Sequence, residues 1–533
     1  MSKYILKNGT IVDGTGMAKY QADLLIEGNI ITKIGEVRDA VSLEEGVVIF
    51  DCSGLTISPG FIDCHSHSDA EILQEFSAFN LLEQGITTEI AGHCGVFPAP
   101  FKGSTMRNLE MMLPKHKENI LKNGGNYEAF FKEIESIDVP LNFATYIGHG
   151  TIRESVMGFS DAIPTEEELQ EMKELVREGM KAGALGLSTG LVYPTGCYSK
   201  EEEIIELCKV VGEFGGYYST HMRSESSKVV ESVEETIRIA EAAGIPAVIS
   251  HHKIGGKSNA GKSIETLKLI DEANNRGLTI RLDQYPYDGG ATALISSIPP
   301  KYATNGPEGL LEHLRNPETR AKIKEEVSKE STEYENLIYG SGFDGIIVVL
   351  PMTPQYNGMS VLDIANQLGK DPCETLFDLL LENEGGGLAI YIMISDWDLE
   401  NIIKHPLTMG GVDGNIMNQR GELTHPRIVA TFPKIIGKYC RDKGFMTLEE
   451  CIRKQTGLPA EFYNLNNKGI LKEGNDADMV VFDFKTIAGN ANYANSTAAN
   501  TGIVYVFVNG KLSVKNGTIT GIKNGKIIRE SIN

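Results

Sequence analysis

The stretch PTEEELQEMKELVREGMKAGALGLSTG, residues 164–190, reads as one helix followed by one strand. Thr165 and Glu168 have the spacing of a capping box, which marks a helix start. Leu169, Met172, Leu175, Val176 and Met180 then fall on one apolar stripe, the pattern of a helix packed on a core. Gly183 ends the stripe, and ALGLSTG follows as a short strand. The same unit recurs along the chain. AFNLLEQGITTEIAG (78–92) is helix, glycine turn, strand; VVESVEETIRIAEAAGIPAVISHHK (229–253) and SIETLKLIDEANNRGLTIRLDQYPY (263–287) repeat it. Recurring helix–strand units of this length predict an α/β chain with a parallel sheet, and a (β/α)8 TIM-like barrel is the leading form. Spacing alone leaves an open sheet as the alternative.

The ends of the chain read differently. YILKNGTIVDG, ADLLIEGNIITKIG and GVVIFDCSG are short β-rich runs separated by turn residues. ADMVVFD and GIVYVFVNGKLSVKNGTITG repeat the style near the other end, with Asn509-Gly510 and Asn516-Gly517 as hairpin signals. Residues 1–58 and 472–533 are therefore expected to form a small β-sandwich domain built from both termini, flanking a barrel over 59–471. The helical rhythm breaks after about residue 290. GLLEHLRNPETRAKIKEEVSKEST (309–332) is charged and helical, so 291–345 is expected to be an insertion or lid over the barrel mouth, its charge run a solvated face.

A chain of 533 residues, 41% hydrophobic and 23% charged, has the make-up of a soluble globular protein. Its net charge of -22 argues against nucleic acid and anionic membrane as partners, since both need a basic surface. The sequence shows no signal-peptide pattern and no long apolar span. The eight cysteines are scattered without a CxxC pair. These features point to reduced thiols and a cytoplasmic location.

GFIDCHSHSD, residues 60–69, carries the chemistry. In an extended strand, residues two apart share a face, so His65 and His67 project together, with Asp63 on that face. Two imidazoles on one side can grip a cation. His221 in YYSTHMRSE, His251 in AVISHHK and Cys94 in EIAGHCG each close a strand-like run, and Asp413 lies in GGVDG. Strand ends of a barrel open on one face, so these six residues are expected to converge. Histidine nitrogen and cysteine thiolate suit zinc. Zinc with an open position acidifies water, and a nearby carboxylate can move the proton. This set of groups is suited to hydrolysis.

Taken in order, GFIDCHSHSD, EQGITTEIAGHCG, GHGTIRESVMG, GALGLSTGLVYPTG, STHMRSE, ISHHK, DQYPYDGGAT, GGVDG, HPRIVATFPKIIG and KEGNDADMVVFD resemble the amidohydrolase superfamily, and within it the N-acyl-D-amino-acid deacylases, across most of the chain. The resemblance implies zinc-dependent hydrolysis of the amide of an N-acyl-D-amino acid. It implies a tight Zn2+ site at Cys94, His221 and His251, and a second, weaker site using His65 and His67. Asp413 matches the general base and acid. Lys253, Tyr193 and Tyr285 match positions near the substrate carboxylate, and Arg223 in THMR offers further charge.

Three departures stand out. His93 occupies a position where relatives commonly have asparagine, and Val412 one where serine is frequent. LISSIPPKY (294–302) lacks the arginine associated with acidic substrates, which favours neutral or hydrophobic D-side chains. The remaining histidines are given lesser parts. His149 is a candidate for the barrel mouth, His252 points away from His251, His425 anchors a loop near the site, and His405 has no assigned role. Cys64 alternates with His65 and should face away from the metal. Rival readings are a dipeptidase for dipeptides with a C-terminal D-residue, a cyclic-amide hydrolase of the dihydropyrimidinase or dihydroorotase type, and a catalytically dead metal-binding scaffold. The cyclic-amide enzymes commonly bridge their metals with a carboxylated lysine, whereas the pattern here offers a cysteine.

Overall fold

The computed structural model describes residues 3–37, 46–74 and 76–529. Residues 1–2, 38–45 and 530–533 of the expected terminal β domain lie outside the described residues. The helix predicted from residues 164–190 runs Glu166–Lys181. Thr165 Oγ1 accepts the Glu168 N–H at 3.2 Å, and Glu168 Oε2 accepts the Thr165 N–H at 2.8 Å. Met172, Leu175, Val176 and Met180 are buried. Thr165→Ala should cost about 1 kcal/mol, the usual loss of such a cap, read as a lower urea midpoint.

Eight parallel strands form the barrel: β1 (Phe61–Asp63), β2 (Ile86–Ala91), β3 (Asn142–Thr145, continued by Ile147–Gly148), β4 (Gly186–Gly190), β5 (Tyr217–His221), β6 (Ala247–Ile249), β7 (Ile280–Gln284) and β8 (Thr408–Gly410). Each pairs with the next in sequence. The sheet closes on itself just beyond the strand ends. The Cys64 N–H donates to Gly410 O at 3.0 Å, His67 N–H to Gly414 O at 2.7 Å, and Asp413 N–H to His65 O at 2.8 Å. The open-sheet alternative is thereby excluded.

The two chain ends share one nine-stranded sheet. It forks at the strand Lys3–Ile11. Residues 3–7 pair with Val47–Asp51, while Thr10 and Ile11 pair with Thr56 and Ile57. Leu6, Leu24, Ile57, Met479, Val481 and Phe507 belong to its buried apolar cluster. Asn509 and Gly510 both have positive φ, as do Asn516 and Gly517, which is what two-residue hairpin turns require.

A third unit lies between β7 and β8. Gly289–Ala293, Leu388–Ile392 and Ile346–Val349 form an antiparallel sheet in that order, with helices including Gly306–Arg315, Pro317–Val327 and Pro372–Glu382. It has its own apolar cluster, including Leu314, Ile323, Val348, Phe377 and Tyr391. The unit continues past residue 345, where the charged helical pattern stops. Ile346–Val349 and Leu388–Ile392 are as apolar as barrel strands; their antiparallel register against Gly289–Ala293 sets them apart. Among the described residues, no helix is long and apolar enough to cross a membrane.

Candidate metal centre and active site

Cys94, His251 and Asp413 follow the ends of β2, β6 and β8, and each has a left-handed backbone, with φ of 56°, 35° and 51°. Such conformations are costly for residues with a Cβ and persist where surrounding structure enforces them. Here they turn three side chains into one space above the barrel. Donor atoms gather in three overlapping sets, each within 4.8 Å: His65, His67 and Cys94; Cys94, His221 and His251; and His65, His251 and Asp413. All six residues expected to converge are thus brought together.

The surrounding hydrogen bonds aim these groups. Asp283, at the end of β7, holds His65 Nδ1 at 3.2 Å and accepts the His251 N–H at 2.8 Å. His65 Nε2 is left facing Cys94 Sγ at 3.5 Å. Glu225 lies 3.0 Å from His251 Nδ1 and 3.3 Å from His221 Nε2. His251 Nε2 then faces Cys94 Sγ at 3.4 Å, and the buried His221 Nδ1 has no hydrogen-bond partner. A ring nitrogen held by a carboxylate, with the other nitrogen free beside a thiol, is how a histidine is prepared to ligate a metal. A sulfur and two or three imidazole nitrogens suit a zinc-type cation, so the residues present fit one.

Electrostatics agree. Burial and the Asp413 carboxylate push the Cys94 thiol well above its ordinary range; a cation in the site would oppose this by favouring the thiolate. Burial also drives His251 down to about 3, with Lys253 adding to the effect, so its ring is neutral. The Asp413 carboxyl is also lowered, but by its neighbours rather than by burial. Burial opposes its charge, but Arg427 and the imidazoles of His251, His65 and His67 hold its carboxyl well below the usual range. Its Oδ1 lies 3.2 Å from His67 Nε2 and 3.6 Å from His65 Nε2.

His67, Cys94, His221, His251 and Asp413 line a cavity of about 610 Å³. Tyr193, Lys253, Tyr285 and Arg427 line it nearby. The Tyr285 hydroxyl is buried without a hydrogen-bond partner. Lys253 Nζ and the Arg427 guanidinium stand 5.9 and 4.5 Å from the centre of its ring. Lys253 Nζ is held by Glu225 Oε1 at 2.6 Å. Tyr193 Oη accepts from Thr292 Oγ1 at 3.0 Å. Elsewhere the wall is largely apolar, with Phe159, Ile295, Ile298, Leu310, Ile390 and Met393.

Arg223 departs from expectation. Its guanidinium is held by Glu235 at 2.9 to 3.2 Å and by Cys197 O at 3.1 Å, outside the cavity lining. β5 ends at His221, so Arg223 lies on the loop beyond it, where strand geometry no longer directs a side chain toward the site. Arg427 is the guanidinium in the cavity. Its Nη1 lies 2.8 Å from Asp413 Oδ2 as an ion pair, while Nε and Nη1 lack an aligned hydrogen-bond acceptor. Asp63 also departs. It faces neither histidine ring; its Oδ1 accepts the N–H groups of His65 and Val412 at 3.1 and 2.8 Å, stitching β1 to the residues after β8.

His93 is buried, stacked on His65 with ring centres 4.1 Å apart, and bonded through Nδ1 to Ser219 Oγ at 3.0 Å. His149 pairs with Glu203 at 2.8 Å, away from the cavity lining. His252 faces Thr266 at 2.9 Å, and Cys64 lies against Met409, both turned from the site as read. His405 pairs with Asp271 at 3.1 Å ahead of β8. His425 lines the cavity, with Nε2 bonded to Gly289 O at 3.0 Å. Glu225, Asp283 and Arg427 were not singled out from sequence. A signal for Glu225 was present, since it lies four residues beyond a strand-ending histidine.

Comparison with known proteins agrees with this geometry. Models of the Amidohydrolase family match residues 48–295 and 398–513. The D-aminoacylase of Alcaligenes xylosoxydans xylosoxydans is 34% identical over 529 residues, 98% of this chain and 97% of that protein. The N-acyl-D-glutamate deacylase of Bordetella bronchiseptica, solved with zinc and a phosphonate mimic of the tetrahedral intermediate, superposes with a TM-score of 0.79 at 30% identity, covering 99% of both chains. A D-aminoacylase studied for its binuclear metal centre, with one-metal activation and second-metal attenuation, gives 0.80 at 31%, again over 99% of both. Barrel, converging donors and full-length likeness lead to one assignment: the chain belongs to the amidohydrolase family, among the N-acyl-D-amino-acid deacylases, and is a hydrolase of amide bonds.

Proposed function

We propose that the protein hydrolyses N-acyl-D-amino acids with neutral or hydrophobic side chains to a carboxylate and the free D-amino acid, with zinc as its metal. Cys94, His221 and His251 would hold the tighter ion, and His65 and His67 a weaker second one. A zinc ion held there supplies Lewis acidity toward the acyl carbonyl and acidifies the attacking water. Asp413 takes the proton from that water and delivers it to the amide nitrogen as the C–N bond breaks. The observation that carries this reading is the carboxylate of Asp413, kept ionised and set 3.2 Å from His67 Nε2 beside the donor cluster.

Arg427, Lys253 and Tyr285 are suited to hold the substrate's free carboxylate. Arg427 has unaligned donors and Tyr285 an unpartnered hydroxyl, while Tyr193 borders the same space. With carboxylate and acyl carbonyl both fixed, the side chain has one direction left, which is how the site would select a hand. Ile295 and Ile298, from the LISSIPPKY stretch, line the cavity. Imidazoles apart, the cations among its described lining residues are Lys253 and Arg427, both over Tyr285. An acidic side chain would find no further lysine or arginine there. The cyclic-amide reading is disfavoured because Lys253, the lysine of the lining, is engaged by Glu225.

The test is zinc-loaded protein with paired N-acetyl-D- and N-acetyl-L-leucine, -methionine, -phenylalanine and -glutamate, assayed for free amine. Release from the D forms alone, with the apolar three at least about tenfold ahead of glutamate, is expected; a buried charge left without a partner costs more than that factor requires. Preference for L forms or for glutamate would refute the reading, and dipeptides and cyclic amides would be assayed next.

A further inference from the structure

Glu225 orients His221, His251 and Lys253, yet it sits on a loop just past the end of β5. Strand pairing does not fix a side chain there. Its backbone O accepts the Gly255 N–H at 2.6 Å. The insertion between β7 and β8 adds a carboxylate at the Glu225 N–H. Glu335 Oε2 accepts the Glu225 N–H at 3.0 Å and the Ser224 hydroxyl at 3.0 Å. Ser227 Oγ donates to Ser331 O at 2.7 Å, joining the same two segments. Glu335 also borders the cavity.

We infer that Glu335 is a positioning residue. It docks the insertion on the loop after β5 and so fixes the Glu225 carboxylate, which in turn aims two imidazoles and the Lys253 ammonium. Burial and the nearby Glu225 charge push the Glu335 carboxyl up, but its oxygen accepts the Glu225 N–H whether or not it is ionised, so the loop is pinned at the residue whose side chain matters. Without it, Glu225 and the ring nitrogens it holds gain freedom, and donor geometry loosens without loss of any donor. The inference rests on Cys94, His221 and His251 being the zinc site.

The experiment is chelator competition for zinc on purified full-length protein, comparing wild type with Glu335→Ala, Glu335→Asp, Glu335→Gln and Glu330→Ala. Loss of a partner behind the ligands typically weakens metal binding 10–100-fold, so Glu335→Ala and the shortened Glu335→Asp should bind zinc at least about tenfold more weakly. Glu335→Gln keeps an acceptor oxygen and should stay close to wild type. Glu330 belongs to the same insertion but accepts from Ser258 at 3.3 Å, so Glu330→Ala should leave zinc affinity unchanged. Wild-type affinity in Glu335→Ala, or equal weakening in Glu330→Ala, would overturn the inference. If the alanine variant does not fold, the Asp and Gln pair decides: equal affinities reject it, and loss only in Asp supports it. Failure of wild type to bind zinc would instead reject the metal reading on which it stands.

Discussion

Asp413→Asn is expected to lower kcat by about a thousandfold, within the range typical for loss of a positioned acid or base, while zinc content stays unchanged. Asparagine keeps the shape and can still meet Arg427, but it cannot take a proton from water. Alanine is the less clean variant. It would leave the buried Arg427 guanidinium, 2.8 Å from the Asp413 carboxylate, with neither countercharge nor acceptor, whereas asparagine removes the charge but keeps an acceptor oxygen; a buried unpaired charge destabilises by several kcal/mol. A loss of rate in the alanine variant would therefore mix chemistry with folding. Steady-state kinetics on the asparagine variant, with metal analysis of the same sample, separates the two. A normal rate would remove Asp413 from the reaction.

Cys94→Ser should have the second largest effect, weakening zinc by more than about 100-fold, beyond what loss of a supporting partner costs. Cys94 belongs to two of the three donor sets, so one change affects both candidate sites. Serine preserves the volume at a backbone position with φ of 56°, but its hydroxyl is a poor substitute for a soft thiolate. Chelator competition reads the affinity, and circular dichroism checks that the barrel is intact. Unchanged affinity would exclude the thiol from the site.

The parts of this protein legible in sequence are those governed by short-range rules. The 166–181 helix has a cap and a stripe within one window, and both are realised. His65 and His67, Cys94, His221, His251 and Asp413 were readable because strand ends in a barrel share a face. Arg223, from its place in THMR, offers further charge for the site, but its guanidinium is taken up by Glu235 and Cys197 O. Asp283 acts through a partner far along the chain, His65, and Arg427 reaches back across a loop to Asp413. No periodicity marks such residues. Strands 346–349 and 388–392 are apolar runs whose partner is set by tertiary register, which local pattern does not encode.

The closing seam of the barrel also governs when the site can come into being. His67 and Asp413 are separated by 346 positions, and the whole insertion is made between β7 and β8. During synthesis, Cys94, His221 and His251 leave the ribosome long before β8 arrives. A nascent chain could thus carry the proposed metal donors without the carboxylate proposed to move the proton. Contacts between such distant positions form late, since ordering the intervening chain precedes their gain. On the proposed mechanism, hydrolysis therefore requires the finished circle, and a fragment that stops short of residue 413 would lack it.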